Sequence, residues 1–119
     1  MVGKVSIDYE ALEDCETWVE PLANVLYAVV IADALVKMKN WSKAISGLKW
    51  AKDHDLYNAR EADVISLSEY ESLDSQLEEL IAVAEERDME AWERLVKDVY
   101  ADLETKVFTK FYICMVEKG

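Results

Sequence analysis

The side chains that most often carry catalysis are scarce in this chain of 119 residues. His54 is the single histidine, and Cys15 and Cys114 stand near opposite ends. The sequence contains no Cys-x-x-Cys pair, no Glu-x-x-His motif, no phosphate-binding glycine loop and no dinucleotide fingerprint. A thiol nucleophile with a histidine base is conceivable for Cys15 and His54, but no spacing supports it. We therefore predict a protein that is not an enzyme and that has no metal and no cofactor.

Carboxylates are the abundant chemical group. The chain carries 25 acidic and 13 basic residues, and residues 69–104 hold 13 of the acids with three bases. Rows of carboxylates on helices resemble nucleic-acid phosphates in charge, so they predict binding to a basic surface of a partner protein. The alternative is a solvated face that keeps the protein soluble. The candidates for this acidic face are Glu78, Glu79, Glu85, Glu86, Glu90, Glu93, Asp98 and Asp102.

A basic segment, residues 37–60, precedes the acidic helices and has six bases and two acids. Direct nucleic-acid binding is not predicted, because the net charge of -12 opposes it. This segment is a second candidate face, for a partner or for an oligomer. Trp50 falls away from the stripe of Trp41 and Leu48, so it could anchor an interface, although packing under the tail or the first helix is the favoured expectation. The candidate residues of this face are Lys39, Lys43, Trp50 and His54.

Asp33 interrupts an otherwise apolar segment and projects into the stripe of Leu22, Val29 and Val36. A buried carboxylate must be paired or protonated, so we expect a partner such as a lysine, a tyrosine or His54. The alternative is a functional acid in a ligand pocket.

The elements that position these groups are predicted to be helices. Hydrophobic residues make up 52% of the chain, Gly and Pro are rare, and apolar residues recur with a period near 3.6. We predict an all-α single domain, 1–119, with five or six helices packed around a central apolar helix at about 21–39. Pro21 is predicted to separate the first two helices. The predicted helices cover 8–19, 21–39, 41–55, 59–66, 69–87 and a last segment from 89.

Several boundaries follow from capping signals. Asn40 and Asp88 are predicted N-caps, and the pairs Asn58 with Glu61 and Ser68 with Glu71 have capping-box spacing. The tail, 107–116, suits a helix or a strand paired with residues 4–9, and the helix is favoured because the apolar stripe continues into it.

Residues 28–58 resemble a single tetratricopeptide repeat. The resemblance covers about a quarter of the chain, with Ala28 where the family has a large aromatic residue. It implies protein-peptide binding, while a generic helical hairpin explains the same pattern. The residues that carry it are Ala32 and Leu35 in the first helix, Asn40 and Trp41 at the turn, and Ala44, Leu48 and Ala51 in the second.

The N-terminal residues do not resemble a signal peptide, and the longest uninterrupted apolar stretch, Val25 to Ala32, is shorter than the roughly 20 residues of a membrane span. We therefore expect no membrane partner and a cytoplasmic location, that of the host cell if the protein is viral. In that compartment Cys15 and Cys114 are expected as buried thiols, with a disulfide as the alternative.

The sequence thus favours a non-catalytic acidic helical module that binds a protein, most consistent with an inhibitor that occupies a nucleic-acid-binding surface. Small phage inhibitors of host defence, including nucleic-acid mimics directed at CRISPR enzymes, have this size and charge, which is an analogy of class. The alternatives are an oligomeric scaffold or tetratricopeptide-like adaptor that uses residues 37–60, and a small-ligand-binding bundle with Asp33 in its pocket.

Overall fold

The computed structural model describes residues 8–118, and all regular elements among them are helical. Because α2, the π-helical segment and α3 follow one another without a break, they form one rod, and the described chain has four rods instead of five or six helices. The predicted all-α class is confirmed. The elements are α1 (Tyr9–Lys37), α2 (Trp41–Trp50), the π-helical segment (Ala51–Asp55), α3 (Leu56–Glu61), α4 (Leu67–Glu86) and α5 (Met89–Lys118).

The four rods form an antiparallel bundle with one shared core. α1 packs against the α2–α3 rod and α5, and α4 packs against the same two. Lys110 of α5 contacts Glu69 at the start of α4, and Trp92 near the start of α5 contacts Asp33 near the end of α1, so neighbouring rods run in opposite directions. Short turns between the rods require this topology. The largest fully buried side chains are Trp92, Leu22, Leu48, Leu56, Ile65, Leu73, Leu77, Leu80 and Leu103.

Pro21 lies inside α1, so the predicted break between two helices is wrong. A proline in a helix interior removes one hydrogen bond and costs about 3 kcal/mol. The buried stripe continues through Cys15, Val19, Leu22 and Val25 on both sides of the proline. Packing of this stripe against the rest of the bundle offsets the local cost.

α1 is also not the enclosed central helix that was expected for residues 21–39. Each rod of a four-rod bundle has two neighbours and keeps an outer face, and on α1 that face is apolar. The side chains of Tyr27, Val30 and Ile31 are 59%, 46% and 59% exposed. α1 is the one helix in the described part of the chain that is long and apolar enough to cross a membrane, although core helices of soluble proteins pass the same test.

α1 and α5 have 29 and 30 residues, against 20 in α4, and together they extend past the other rods as a two-helix arm. A disulfide joins Cys15 to Cys114 in this arm, with the two Cα atoms 5.8 Å apart, so the expectation of two free thiols is wrong. Asp14 and Lys118 form an ion pair of 3.7 Å beside it. The sequence separation of 99 residues left the pairing open, because only the antiparallel course of α1 and α5 brings the two cysteines together.

Of the four predicted capping sites, two are confirmed, one is shifted and one is wrong. The carboxylate of Asp88 accepts a hydrogen bond from Ala91 N at 3.1 Å, and the side chain of Asn40 caps α2. The capping box of α4 uses Ser66 and Glu69, two residues before the predicted pair. Asn58 caps nothing, since the chain there is already within α3.

The tail, 107–116, is part of α5, which confirms the favoured helix. A strand in this segment is therefore excluded, and residues 4–7 of its predicted pairing partner lie outside the described residues.

Candidate functional site

The carboxylates of α4 and α5 divide into paired and unpaired groups. Lys52 Nζ lies 3.3 Å from a carboxylate oxygen of Asp74 and 3.3 Å from one of Glu78. Asp102 pairs with Lys106 one turn along α5. The other six predicted carboxylates are exposed and have no ion pair or side-chain hydrogen bond among residues 8–118. These six, called the acidic end below, are Glu79, Glu85, Glu86, Glu90, Glu93 and Asp98.

The acidic end surrounds the turn between α4 and α5. Arg87, in the left-handed conformation with φ 55°, ends α4, and the cap residue Asp88 begins α5 at once. This two-residue turn holds the last turns of α4 beside the first turns of α5. Five of the six carboxylates therefore stand on the last three turns of one helix or the first two turns of the next.

A shallow groove separates the two helices of this turn. Val83, Arg94 and Asp98 are among the residues that line it. Glu79 and Glu86 precede and follow Val83 by about one helical turn, so they share its side of α4. The groove is therefore bordered by carboxylates, with Arg94 as the cation within it.

Glu93 faces a different neighbour. Lys37 of α1 donates a hydrogen bond of 2.9 Å to Asp33, and this bond and the charge of Asp33 raise the pKa of the Lys37 ammonium. The charge of Glu93 raises this pKa further. The acidic end therefore extends around the tip of the bundle from the α4–α5 groove to the α1 side.

Lys52 neutralises the other part of the acidic row. Burial lowers the pKa of its ammonium, but hydrogen bonds with Glu78 and Asp74 outweigh this effect and raise the pKa above its ordinary value. The lysine comes from the π-helical segment and ties the α2–α3 rod to α4. Glu78 and Asp102 therefore have internal partners, unlike the acidic end.

Trp50 is 62% exposed, so the expectation that the tail or the first helix covers it is wrong. Its ring stacks on that of His54, with centroids 3.7 Å apart and planes 30° from parallel. His54 belongs to the π-helical segment, a rare geometry that is frequent at functional sites. Partial burial raises the pKa of the neighbouring Asp55 carboxyl, and the opposite effect of the charge of His54 is smaller.

The rest of the second candidate face lies in the turn before α2 and on α2 itself. Lys39, in a left-handed turn with φ 64°, and Lys43 are both exposed. Gly47 precedes Trp50 by about one turn, and a Cβ built there meets no atom within 4 Å. This surface is open and carries a flat aromatic pair beside lysines.

Asp33 has a structural environment. Its carboxylate accepts hydrogen bonds from Lys37 Nζ at 2.9 Å and from Trp92 Nε1 at 3.0 Å, and the side chain is 26% exposed. The expected lysine partner is present, His54 is not a partner, and the indole donor was missed by sequence reasoning. The hydrogen bond from Trp92 joins α1 to α5 at Asp33, and the Asp33 side chain also lines a groove between these two helices.

No group of three or more potential metal-ligating side chains occurs in the described part of the chain. Comparison of the chain with protein-family models, curated proteins and solved structures finds no match. The functional argument therefore depends on the surfaces described above.

Proposed function

We propose that this protein is a non-catalytic binding module whose acidic end occupies a basic surface of a partner protein. One observation carries the proposal: the six carboxylates of the acidic end lack internal partners, whereas Asp74, Glu78 and Asp102 have lysines. Unpaired carboxylates that share one region add their fields and attract a surface rich in Lys and Arg. Short turns and a common core fix the backbone from which the carboxylates project, so binding has to order only their side chains.

The partner class that fits best is a protein that binds nucleic acid. The groove of such a protein is lined with cations spaced to receive phosphates, and carboxylates that project from one rigid backbone can occupy the same cations. Occupation of that groove would make this protein an inhibitor, as expected for phage-type anti-defence proteins and nucleic-acid mimics such as anti-CRISPR proteins. A cytoplasmic location stays a prediction. Free thiols no longer support it, because Cys15 and Cys114 form a disulfide.

The test compares two charge-reversal variants with equal charge. One variant carries Glu85→Lys, Glu90→Lys and Glu93→Lys, and the control carries the same change at three exposed glutamates elsewhere, Glu13, Glu71 and Glu117. Binding to a panel of purified nucleic-acid-binding proteins is measured by surface plasmon resonance at several salt concentrations, with duplex DNA as competitor. We expect a binder whose affinity falls steeply with salt and which DNA displaces.

The first variant should weaken that binding by about 100-fold or more, since each reversal replaces attraction by repulsion at the interface. The control should change it by less than about threefold, because exposed charges distant from the interface are screened. Equal losses in both variants would show that only net charge matters and would contradict a defined acidic surface.

A second candidate function has an observation of its own. The exposed Trp50, stacked on His54, suits an adaptor that binds partners or copies of itself through the 37–60 face, since exposed tryptophans are frequent interface anchors. Trp50→Ala should then abolish a salt-insensitive association while changing the free energy of unfolding by less than about 0.5 kcal/mol. A loss of affinity only in the charge-reversal variant would favour the acidic end.

A further inference from the structure

The outer face of α1 carries an apolar strip that no other described element covers. Tyr27 and Ile31 are each 59% exposed and Val30 is 46% exposed, with exposed Ala34 at one end and half-buried Ala23 at the other. Scattered exposed apolar side chains are ordinary, but adjacent ones on successive helical turns mark an interaction surface. Neither the acidic end nor the Trp50 face includes these residues.

The strip has the spacing of a helix-pairing seam. Positions 20, 23, 27, 30, 34 and 37 follow one another in steps of three, four, three, four and three, as in a coiled coil. The same steps occur when the seam is counted from either end. A helix with such a seam can therefore pair with an antiparallel copy of itself in register.

Charges at the two ends of the seam differ in sign. Glu16 and Glu20 precede the strip, and Lys37 and Lys39 follow it; the Lys37 ammonium contacts Asp33 of its own helix, and its side chain is 63% exposed. A parallel pair of copies would place glutamates beside glutamates and lysines beside lysines. An antiparallel pair places the acidic end of each seam against the basic end of the other, so the charges select this orientation.

We propose that a second copy of this chain packs against the α1 strip, antiparallel and around a two-fold axis between Tyr27 and Val30. In this dimer Ala23 lies opposite Ala34 of the second copy, Tyr27 opposite its Val30, and Glu20 opposite its Lys37. Each contact occurs twice, as two-fold symmetry requires. The small alanines let the two helices approach, and the larger residues fill the centre.

Grooves between α1 and α5 extend this surface. A groove of about 440 Å³ lies beside Val30 and is also lined by Val96 and Tyr100. A second groove, of about 530 Å³, lies beside Tyr27 and includes Phe108, which is 63% exposed. Because Tyr27 of the second copy stands over Val30, its ring lies at the mouth of the first groove.

Salt should affect this surface differently from the acidic end. The dimer is held mainly by apolar contact, and each copy has a net charge of -12, so added salt screens the repulsion between copies. We expect dimerisation to strengthen or stay constant with salt, whereas binding through the acidic end weakens. The dimer does not depend on the proposed function, because the two surfaces share no residue.

The experiment measures the mass of the full chain by sedimentation velocity over a wide concentration range. We expect a dimer of the 13.6 kDa chain. Tyr27→Glu should weaken it by about 30-fold or more, the effect of losing a central interface aromatic, without lowering thermal stability. Leu67→Glu is the matched control, since Leu67 is 56% exposed at the start of α4, and it should leave the dimer unchanged.

Charge exchange tests the orientation. Glu20→Lys alone and Lys37→Glu alone should each weaken the dimer, and the double variant should restore it. A mixture of the two single variants should form heterodimers, because each then supplies the charge that the other lacks. These results support the antiparallel pairing.

Three results would overturn the proposal. One is a wild-type chain that stays monomeric at every concentration, and another is a double exchange that fails to restore association. The third is a monomer that binds vesicles of phosphatidylcholine and phosphatidylserine in a Tyr27-dependent way, which would make a lipid surface the occupant of the strip. Charge reversal at Glu85 and Glu90, with Glu93 left unchanged because its charge acts on Lys37, should leave the dimer intact, so failure of either proposal can be recognised separately.

Discussion

The two ends of the α1–α5 pair are held together by different chemistry. Inside the four-rod bundle, Asp33 accepts a hydrogen bond from Trp92, whose side chain is fully buried. In the arm, where the other rods have ended, the disulfide between Cys15 and Cys114 takes this role. Four rods share a core and need only a directional contact, whereas two helices share a single seam and gain most from a covalent link. The comparison indicates that stability is supplied locally, according to how many neighbours each helix has.

The largest expected change in stability tests the arm, where the disulfide joins α1 to α5. Replacing Cys15 and Cys114 by serine should lower the free energy of unfolding by about 4 kcal/mol, because the disulfide closes a loop of 99 residues in the unfolded chain. Urea denaturation measures this change. Hydrogen exchange should quicken most in residues 9–19 and 111–118, while the bundle stays protected. Uniform exchange throughout the chain would show that arm and bundle are one cooperative unit.

The next largest change in stability tests the end of the α1–α5 pair that lies inside the bundle, where Trp92 contacts Asp33. Trp92→Phe removes the indole donor and part of a buried ring that meets the Trp41 ring edge-on, with centroids 6.5 Å apart. The free energy of unfolding should fall by about 2 kcal/mol, from lost packing and a lost hydrogen bond. Trp50→Phe is the exposed control and should cost less than about 0.5 kcal/mol. Similar losses at both positions would remove the special role of Trp92.

A smaller effect separates the hydrogen bond from the packing. Asp33→Ala leaves the Trp92 N–H without its acceptor and should cost about 1.5 kcal/mol. The double variant with Asp33→Ala and Trp92→Phe should lose less stability than the sum of the two single losses, because both changes remove the same hydrogen bond. Additive losses, measured by thermal and urea denaturation, would contradict the direct coupling of α1 to α5 at this point.

The smallest effect concerns the border between bundle and arm, where Lys110 of α5 lies 3.0 Å from Glu69 of α4. Burial raises the pKa of Glu69, but the Ser66 backbone N–H and Lys110 outweigh it and hold the pKa below its ordinary value of 4.5. A lowered pKa stabilises the fold above the ordinary pKa, and this contribution is lost as the pH falls through the folded-state value. Glu69→Gln should therefore cost about 1 kcal/mol at neutral pH.

That cost should shrink as the pH falls below 4.5, because the unfolded chain takes up the proton first, and it should vanish once folded wild-type Glu69 is protonated as well. Stability measured against pH for both chains checks the sign. A difference that grows at acid pH would contradict the assignment.

The sequence predicts the helices better than their continuity. Periodicity identified the helical segments but divided them into five or six helices instead of four rods, and the capping residues Asn40 and Asp88 were found because their hydrogen bonds are local. Pro21 was misjudged because local propensity indicates a break, while the packing that overrides it depends on distant residues. The same reason explains the disulfide, since no local signal connects Cys15 with Cys114.

For the candidate surfaces too, local features could be predicted from the sequence and features that depend on distant residues could not. Exposure of the acidic end could be predicted from helical periodicity alone. Capture of Glu78 by Lys52 could not, because it depends on the antiparallel course of the α2–α3 rod and α4. Exposure of Trp50 and the apolar outer face of α1 depend on how many rods surround each helix, which the pattern of one helix does not contain.

The disulfide also has a mechanical consequence. It converts residues 15–114 into a covalent ring that contains almost the entire bundle. Tension applied to the segments on either side would pass through the two sulfur atoms, and the helices within the ring would bear none of it. The protein should therefore stay folded under a pulling force until a reductant opens the ring, and a single protease cut within the ring would leave both pieces attached.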